Sequence, residues 1–199
     1  MQDLQLTEEF FSVSRAQKEA VNGHPSFVIW LTGLSASGKS TIARKLEKEL
    51  FDRKIRTVVL DGDNTRIGIN KDLDFSDEGR KENIRRVAEI SKLMNDAGVV
   101  VISSFISPFQ SDRLLAKSII GQNSFIEVFI DANIQTCIDR DPKGLYALAK
   151  AGKIEHFTGI SSPYESPENP DLQLDTNLLS IHDSVVKILD FLAIKFKLN

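Results

Sequence analysis

Phe27-Val-Ile-Trp-Leu-Thr32, followed by Gly33-Leu34-Ser35-Ala36-Ser37-Gly38-Lys39-Ser40-Thr41, is the stretch that decides the fold. The first segment is an apolar run of strand length. The second matches Gly-x-x-x-x-Gly-Lys-Ser/Thr at every fixed position and opens a helical pattern at Ser40. Glycines let the backbone curl so that successive N–H groups face phosphate oxygens, and the helix adds the positive end of its dipole. In such a cradle Lys39 reaches the β- and γ-phosphates and the Ser40 hydroxyl ligates Mg²⁺. The pattern therefore predicts that the chain binds a nucleoside triphosphate.

Outward from this loop, strand-length apolar runs alternate with amphipathic stretches of helix length. Thr57–Leu60, Val99–Ser104 and Ile126–Ile130 join Phe27–Thr32 as strands, each rich in Val, Ile or Phe, as expected when both faces of a parallel sheet are covered. Helices are predicted over Ser40–Arg53, Asp77–Ala97, Asp112–Ile120, Ile134–Arg140 and Ile181–Phe196. The second places Ile84, Val87, Ile90, Met94 and Ala97 inward and stops at Gly98. This rhythm implies an α/β fold of P-loop nucleotide-kinase type, one domain over 1–199 with a mainly parallel central sheet of about five strands.

Asp141–Asp175 breaks the rhythm. It holds four of the six prolines, with Gly144, Gly152 and Gly159, a short helical piece at Leu145–Ala151, and then a long polar loop. Long loops in compact domains are usually functional, often lids. Phe157, Ile160 and Tyr164 make this one more apolar than a disordered insertion.

Composition narrows the function classes. The chain has 199 residues, 41% hydrophobic and 27% charged, as in an ordinary globular protein. A net charge of −3 gives no overall basic field to attract nucleic acid or a membrane surface. Cys137 is the only cysteine, which excludes an internal disulfide and a cysteine-based zinc site. The acidic start lacks the basic-then-apolar order of a secretory signal, and no apolar run approaches bilayer length. The expectation is a soluble, cytoplasmic protein.

The reaction is read from what surrounds the loop. Asn70-Lys-Asp-Leu73 has leucine where a guanine-reading motif needs its acid, and Asp141-Pro-Lys-Gly144 follows a helix and not a strand, so a GTPase is disfavoured. A small-molecule kinase suits the length, and it needs a carboxylate beside the γ-phosphate. Leu60-Asp61-Gly62-Asp63-Asn64-Thr65-Arg66 supplies two at the C-terminal end of a strand, the edge where open parallel sheets bind ligands; a plain acidic turn is the alternative. Arg80 and Asn83 lie three apart near a helix start and, with Arg66, can grip an anionic acceptor. Some of Arg80, Lys81, Arg85 and Arg86 form a solvated face, and periodicity does not say which.

These residues resemble a known family, the adenylylsulfate kinases, which phosphorylate the ribose 3′-hydroxyl of adenosine 5′-phosphosulfate (APS). The resemblance runs from Ser12 to Leu192 through collinear blocks: Trp30–Thr41, Leu60–Asn64, Asn70–Leu73, Glu82–Arg86, Phe105–Phe109, Arg140–Tyr146, Phe157–Ile160 and Ser162–Glu165. It implies that Gly33–Ser40 hold ATP and Mg²⁺, with Ser40 and Asp61 at the metal. Asp61 also faces the acceptor hydroxyl, supported by Asp63. Phe75 and Phe157 resemble the aromatics that sandwich the acceptor's adenine. Arg66, Arg80 and Asn83 would contact its phosphosulfate and ribose. Ile106 and Ser107 belong to the segment lining the acceptor pocket, and Ser107 resembles a serine described in some members as a phosphoserine intermediate, although in-line transfer needs no covalent stop. Arg140 would lie against the ATP base and Lys143–Tyr164 would form the lid. The resemblance further implies a homodimer and functional coupling to an ATP sulfurylase.

Departures from the family pattern are Asp74 for a usual glycine, Gly79 for a frequent aspartate, Gln110 and Leu114 for charged residues, and Ala147 and Leu148 for a lysine pair. They keep open a kinase for another nucleotide-like acceptor. A non-catalytic nucleotide-binding module is the alternative from another class. His24, His156 and His182 lie far apart in sequence, and Cys137 and Trp30 read as packing residues.

Overall fold

A computed structural model describes residues 9 and 11–198. Five strands, β1 (Val28–Thr32), β2 (Thr57–Asp61), β3 (Val100–Ser104), β4 (Phe125–Asp131) and β5 (Leu172–Asp175), form one sheet in the order β2-β3-β1-β4-β5. Every pairing is parallel. The helices are α1 (Arg15–Asn22), α2 (Lys39–Asp52), α3 (Gly62–Ile67), α4 (Asp77–Asp96), α5 (Gln110–Ile120), α6 (Ile134–Arg140), α7 (Leu145–Lys150) and α8 (Ile181–Phe196). The expected P-loop kinase architecture is present. Among the described residues no helix is long and apolar enough to cross a membrane.

The period-2 alternation of the strands divides the core in two. Phe27, Ile29 and Leu31 pack with Ile42, Leu46 and Leu50 of α2 and Val185, Ile188 and Leu192 of α8. Val28 and Trp30 face the other way, onto Ile84 and Val87 of α4, Ala116 and Ile120 of α5, and Phe125. Apolar side chains on both faces of the sheet explain why the strands read as unbroken apolar runs. Trp30 is a packing residue as expected, and its indole N–H also donates to Ser107 Oγ at 3.2 Å.

Four differences from the sequence reading have local causes. β5 lies inside the stretch read as a polar loop: it is an edge strand of four residues with only Leu174 fully buried, too short for a periodic signal. The stretch after β2 is the helix α3, capped by the Asp61 side chain, which accepts from Asp63 N–H. α1 is nucleated by a capping box in which Ser14 and Gln17 satisfy each other's backbone N–H groups. At the end of α4 the inward face is polar: Ser91 and Asn95 are buried, while Met94 is 41% exposed. Ser91 meets Ser103 of β3 at 3.0 Å.

Gly79 and Asp74, two of the departures, occupy one volume. A Cβ on Gly79 would lie 2.3 Å from Asp74 Oδ1 and 2.7 Å from the Asp74 carbonyl oxygen. That carboxylate accepts from the N–H and hydroxyl of Ser76, the residue that caps α4. Gly79→Ala is expected to cost about 1–3 kcal/mol, the usual range for overpacking. Thermal unfolding should show it as a melting temperature several degrees lower; an unchanged value would mean that the Asp74 turn yields freely.

Candidate active site

The ends of β1, β2 and β3 meet beside the start of α2. Parallel register sets Asp61 of β2 opposite Ser104 of β3, and Ser104 opposite Leu31 of β1, two residues before Gly33. Gly33 packs so closely on β4 that a Cβ there would lie 2.4 Å from the Ile130 carbonyl oxygen, and its φ of +150° suits glycine alone. Gly38 then caps α2 at φ +109°. The first turn of that helix leaves its N–H groups free and aimed at the cleft. Behind the loop, Leu34 and Ala36 rest on a cluster of Cys137, Tyr146 and Phe157, and the Tyr146 hydroxyl donates to the Ser35 carbonyl at 3.0 Å.

Asp61 is held at both carboxylate oxygens. Oδ1 accepts from Asp63 N–H at 3.1 Å, and Oδ2 accepts from the Ser40 hydroxyl at 2.7 Å. Ser104 Oγ stands 3.4 Å from Ser40 Oγ. Ser40 and Asp61 thus present two hard oxygen donors side by side at the mouth of the loop. Among the described residues no group of three or more His, Cys, Asp or Glu side chains is arranged to hold a metal. A pair of oxygens with room for phosphate and water is what a Mg²⁺ ion, which keeps much of its hydration, accepts.

Lys39 is folded onto the loop. Its Nζ donates to the carbonyls of Gly33 at 2.9 Å and Leu34 at 2.6 Å. Burial pushes its pKa down to about 8, against the pull of nearby groups including Asp61. Anionic phosphates would restore the ammonium, so triphosphate binding should take up a proton wherever free Lys39 is neutral. Calorimetry in buffers of different ionisation heat should find a proton uptake that grows as pH is raised from 7 to 9. No uptake at pH 9 would show that Lys39 keeps its charge in the free protein. Affinity should accordingly weaken as pH rises above about 8.

One cleft of ≈1760 Å³ is lined by the loop at one end and by Arg66, Phe75, Arg80, Asn83, Ile106, Ser107 and Phe157 at the other. The structure therefore brings together the residues expected on both the donor and the acceptor side. Arg66 stacks over the Phe75 ring at 4.3 Å and donates to the carbonyls of Leu73 and Asp74. Phe75 is 61% exposed, an apolar face open to the cleft, whereas Phe157 is mostly buried edge-on against Tyr146 at 4.9 Å. Burial lowers the pKa of both Arg66 and Arg80, and Arg66 is lowered further by the Arg80 charge.

Arg80 also reaches across the cleft. It donates to Thr158 Oγ1 at 2.6 Å and to the His156 carbonyl, both within the segment read as a lid. Lys143, at the other end of that segment, pairs with Asp63. Tyr164 and Glu165, by contrast, are fixed to the scaffold: the Tyr164 hydroxyl meets Thr32 Oγ1 at 3.0 Å, and Glu165 bonds Pro108, Gln110 and Arg113 through its own backbone and carboxylate. Ser107 is 2% exposed with its backbone at φ +39°, its hydroxyl toward Trp30 and its carbonyl accepting from Arg113 at 2.8 Å. Arg140 spans from the Ser37 carbonyl to Thr176 on the donor side of the cleft.

Several residues in or beside the cleft carry no signal in the sequence. Ser104 is revealed by strand register, Thr176 by its bond to the Ser37 carbonyl at 2.9 Å, and Arg113 by its buried pairing with Glu127 at 2.9 Å. The arginines left undivided by periodicity are now separated. Arg86 clamps Asp72 and Glu82, while Arg85 pairs with Glu82 on the surface.

Comparison with known proteins points one way. A family model described as adenylylsulphate kinase matches residues 25–175. The adenylyl-sulfate kinase of Prochlorococcus marinus is 53% identical over 178 residues, 89% of each chain. That of Thermodesulfovibrio yellowstonii is 53% identical over 186 residues, 94% of this chain and 93% of its own. Among solved structures, the Mycobacterium tuberculosis APS kinase in complex with AMPPNP and APS superposes with a TM-score of 0.82 at 46% identity, covering 85% of this chain and 98% of its own.

Proposed function

The chain belongs to the adenylylsulphate kinase family, and on that footing we propose that it transfers the γ-phosphoryl group of ATP to the ribose 3′-hydroxyl of APS, giving 3′-phosphoadenosine 5′-phosphosulfate and ADP. The observation that carries this reading is the placement of Asp61. It is fixed between Ser40 and the α3 N-terminus, in a cleft with a phosphate cradle at one end and Arg66, Arg80, Asn83 and Phe75 at the other.

Gly33 to Thr41 bind the triphosphate through backbone N–H groups, with Arg140 beside the base. Lys39 leaves its carbonyl partners for the β- and γ-phosphates. Ser40 and Asp61 would hold Mg²⁺, which would offset the negative charge on the phosphate oxygens. Asp61, backed by Asp63, orients the 3′-hydroxyl and accepts its proton. Arg66, Arg80 and Asn83 bind the phosphosulfate and ribose, and Phe75 offers its face to adenine, with Phe157 bordering the same space. Ile106 and Ser107 shape the pocket wall; the burial of the Ser107 hydroxyl under Trp30 supports a positioning role and not a covalent one. Of the lid read over residues 143–165, the part before the anchored Tyr164 and Glu165 closes over the acceptor within a single kinase domain and excludes water. The family resemblance extends the proposal to a cytoplasmic homodimer coupled to an ATP sulfurylase.

ADP release measured with APS and with other nucleotides tests the reading. Release stimulated by APS, with the new phosphate on the 3′-oxygen, is expected. Release only on another acceptor would favour the kinase that Asp74 and Gln110 keep open, and none on any acceptor would favour a nucleotide-binding module.

A further inference from the structure

Asn83 lines the cleft, but its amide is not free to turn. Its Oδ1 accepts from Asn70 Nδ2 at 2.9 Å, which leaves its own Nδ2 facing the cavity. Asn70 is wholly buried and cannot touch a ligand, and its Oδ1 has no partner in the protein. The turn that carries it is secured: Asn70 N–H donates to the Thr65 carbonyl at 2.9 Å, and Arg86 holds the neighbouring Asp72 at 2.7 Å.

We infer that Asn70 is a positioning residue that fixes the Asn83 amide with its N–H₂ toward the acceptor, so that Asn83 meets the acceptor as a donor. The inference deepens the proposed function and rests on it for the identity of the acceptor. Reversing both amides would leave the buried Asn70 Nδ2 without a partner, and unpaired buried N–H groups are rarer than under-satisfied carbonyls. With Asn83 so set, it joins Arg66 and Arg80 as a third donor. Phosphosulfate oxygens only accept, so a carbonyl turned toward them would repel where an amide N–H₂ binds.

Asn70→Asp separates this from a packing role. A carboxylate only accepts, so it would draw Asn83 Nδ2 inward and turn Asn83 Oδ1 toward the acceptor. KM for APS should rise about tenfold or more, the weight of a hydrogen bond to a charged group, with KM for ATP unchanged. In an Asn83→Ala background the same substitution should add nothing, because Asn70 acts only through Asn83. An equal rise in that background, or a matching rise in KM for ATP, would overturn the inference. A readout independent of turnover separates its failure from that of the proposed function. By NMR of the free protein, the Asn70 side-chain amide protons should exchange slowly and those of Asn83 fast; the reverse order would overturn the assignment even if APS is the acceptor.

Discussion

Lys39→Met is expected to lower kcat by about 10³-fold or more while the protein melts no earlier. The loss follows from removing a preorganised cation from the place where charge builds on the transferring phosphoryl group; single preorganised donors are worth about 10²–10³, and this one is charged. The fold should survive because the methionine keeps the apolar stem. The ammonium it replaces is one that burial already disfavours, with its pKa brought down to about 8. Steady-state turnover beside a thermal melt checks both halves. A kcat within tenfold of the parent would remove Lys39 from the chemistry. A melt lowered by many degrees would mean that its bonds to Gly33 and Leu34 build the loop instead of waiting for phosphate.

Asp61→Asn is the second large effect. Asparagine caps helices about as well as aspartate, so the bond from Asp63 N–H and the start of α3 should persist. What disappears is the negative oxygen that accepts from Ser40 and would take the hydroxyl proton. A fall in kcat of about 10²–10⁴ is expected, the usual weight of a general base, with ATP affinity changed by only a few-fold. Asp61→Ala adds a cap loss of about 1 kcal/mol, visible in the melt and not in the Asn variant. An Asn variant with unchanged kcat would leave Asp61 a capping residue only.

The parts of the fold that were legible are those with long or rigid signals. The P-loop and the four strands read from apolar runs needed no tertiary information, because both faces of β1, β3 and β4 are covered. β5 and α3 were hidden because each is short, and the residues that open α3 are turn-like. Only Leu174 of β5 is fully buried, and Asp61-Gly62-Asp63-Asn64 reads as a turn until its first side chain caps a helix. The capping box of α1 was legible and unread: Ser14 and Gln17 have the required spacing.

The site divides in the same way. Lys39, Ser40 and Asp61 could be named because a loop and a strand end fix them locally. Asn70 stands in the Asn70–Leu73 block with no role of its own, because its bond to Asn83 spans 13 residues. Arg113 reads as one more surface arginine until the fold buries it against Glu127 and the Ser107 carbonyl. The lid was legible in outline from its prolines and glycines. Its fixed end was not, since the bonds of Tyr164 and Glu165 reach back to Thr32 and the Pro108–Arg113 segment. Contacts between distant segments leave no period in a sequence.

A crystal structure with a non-hydrolysable ATP analogue, Mg²⁺ and APS tests the central assignment most directly. The account predicts the Asp61 carboxylate within about 3 Å of the acceptor's 3′-hydroxyl, with that oxygen in line with the γ-phosphorus. A carboxylate turned from both sugar and metal, or the 2′-oxygen in the attacking place, would contradict it.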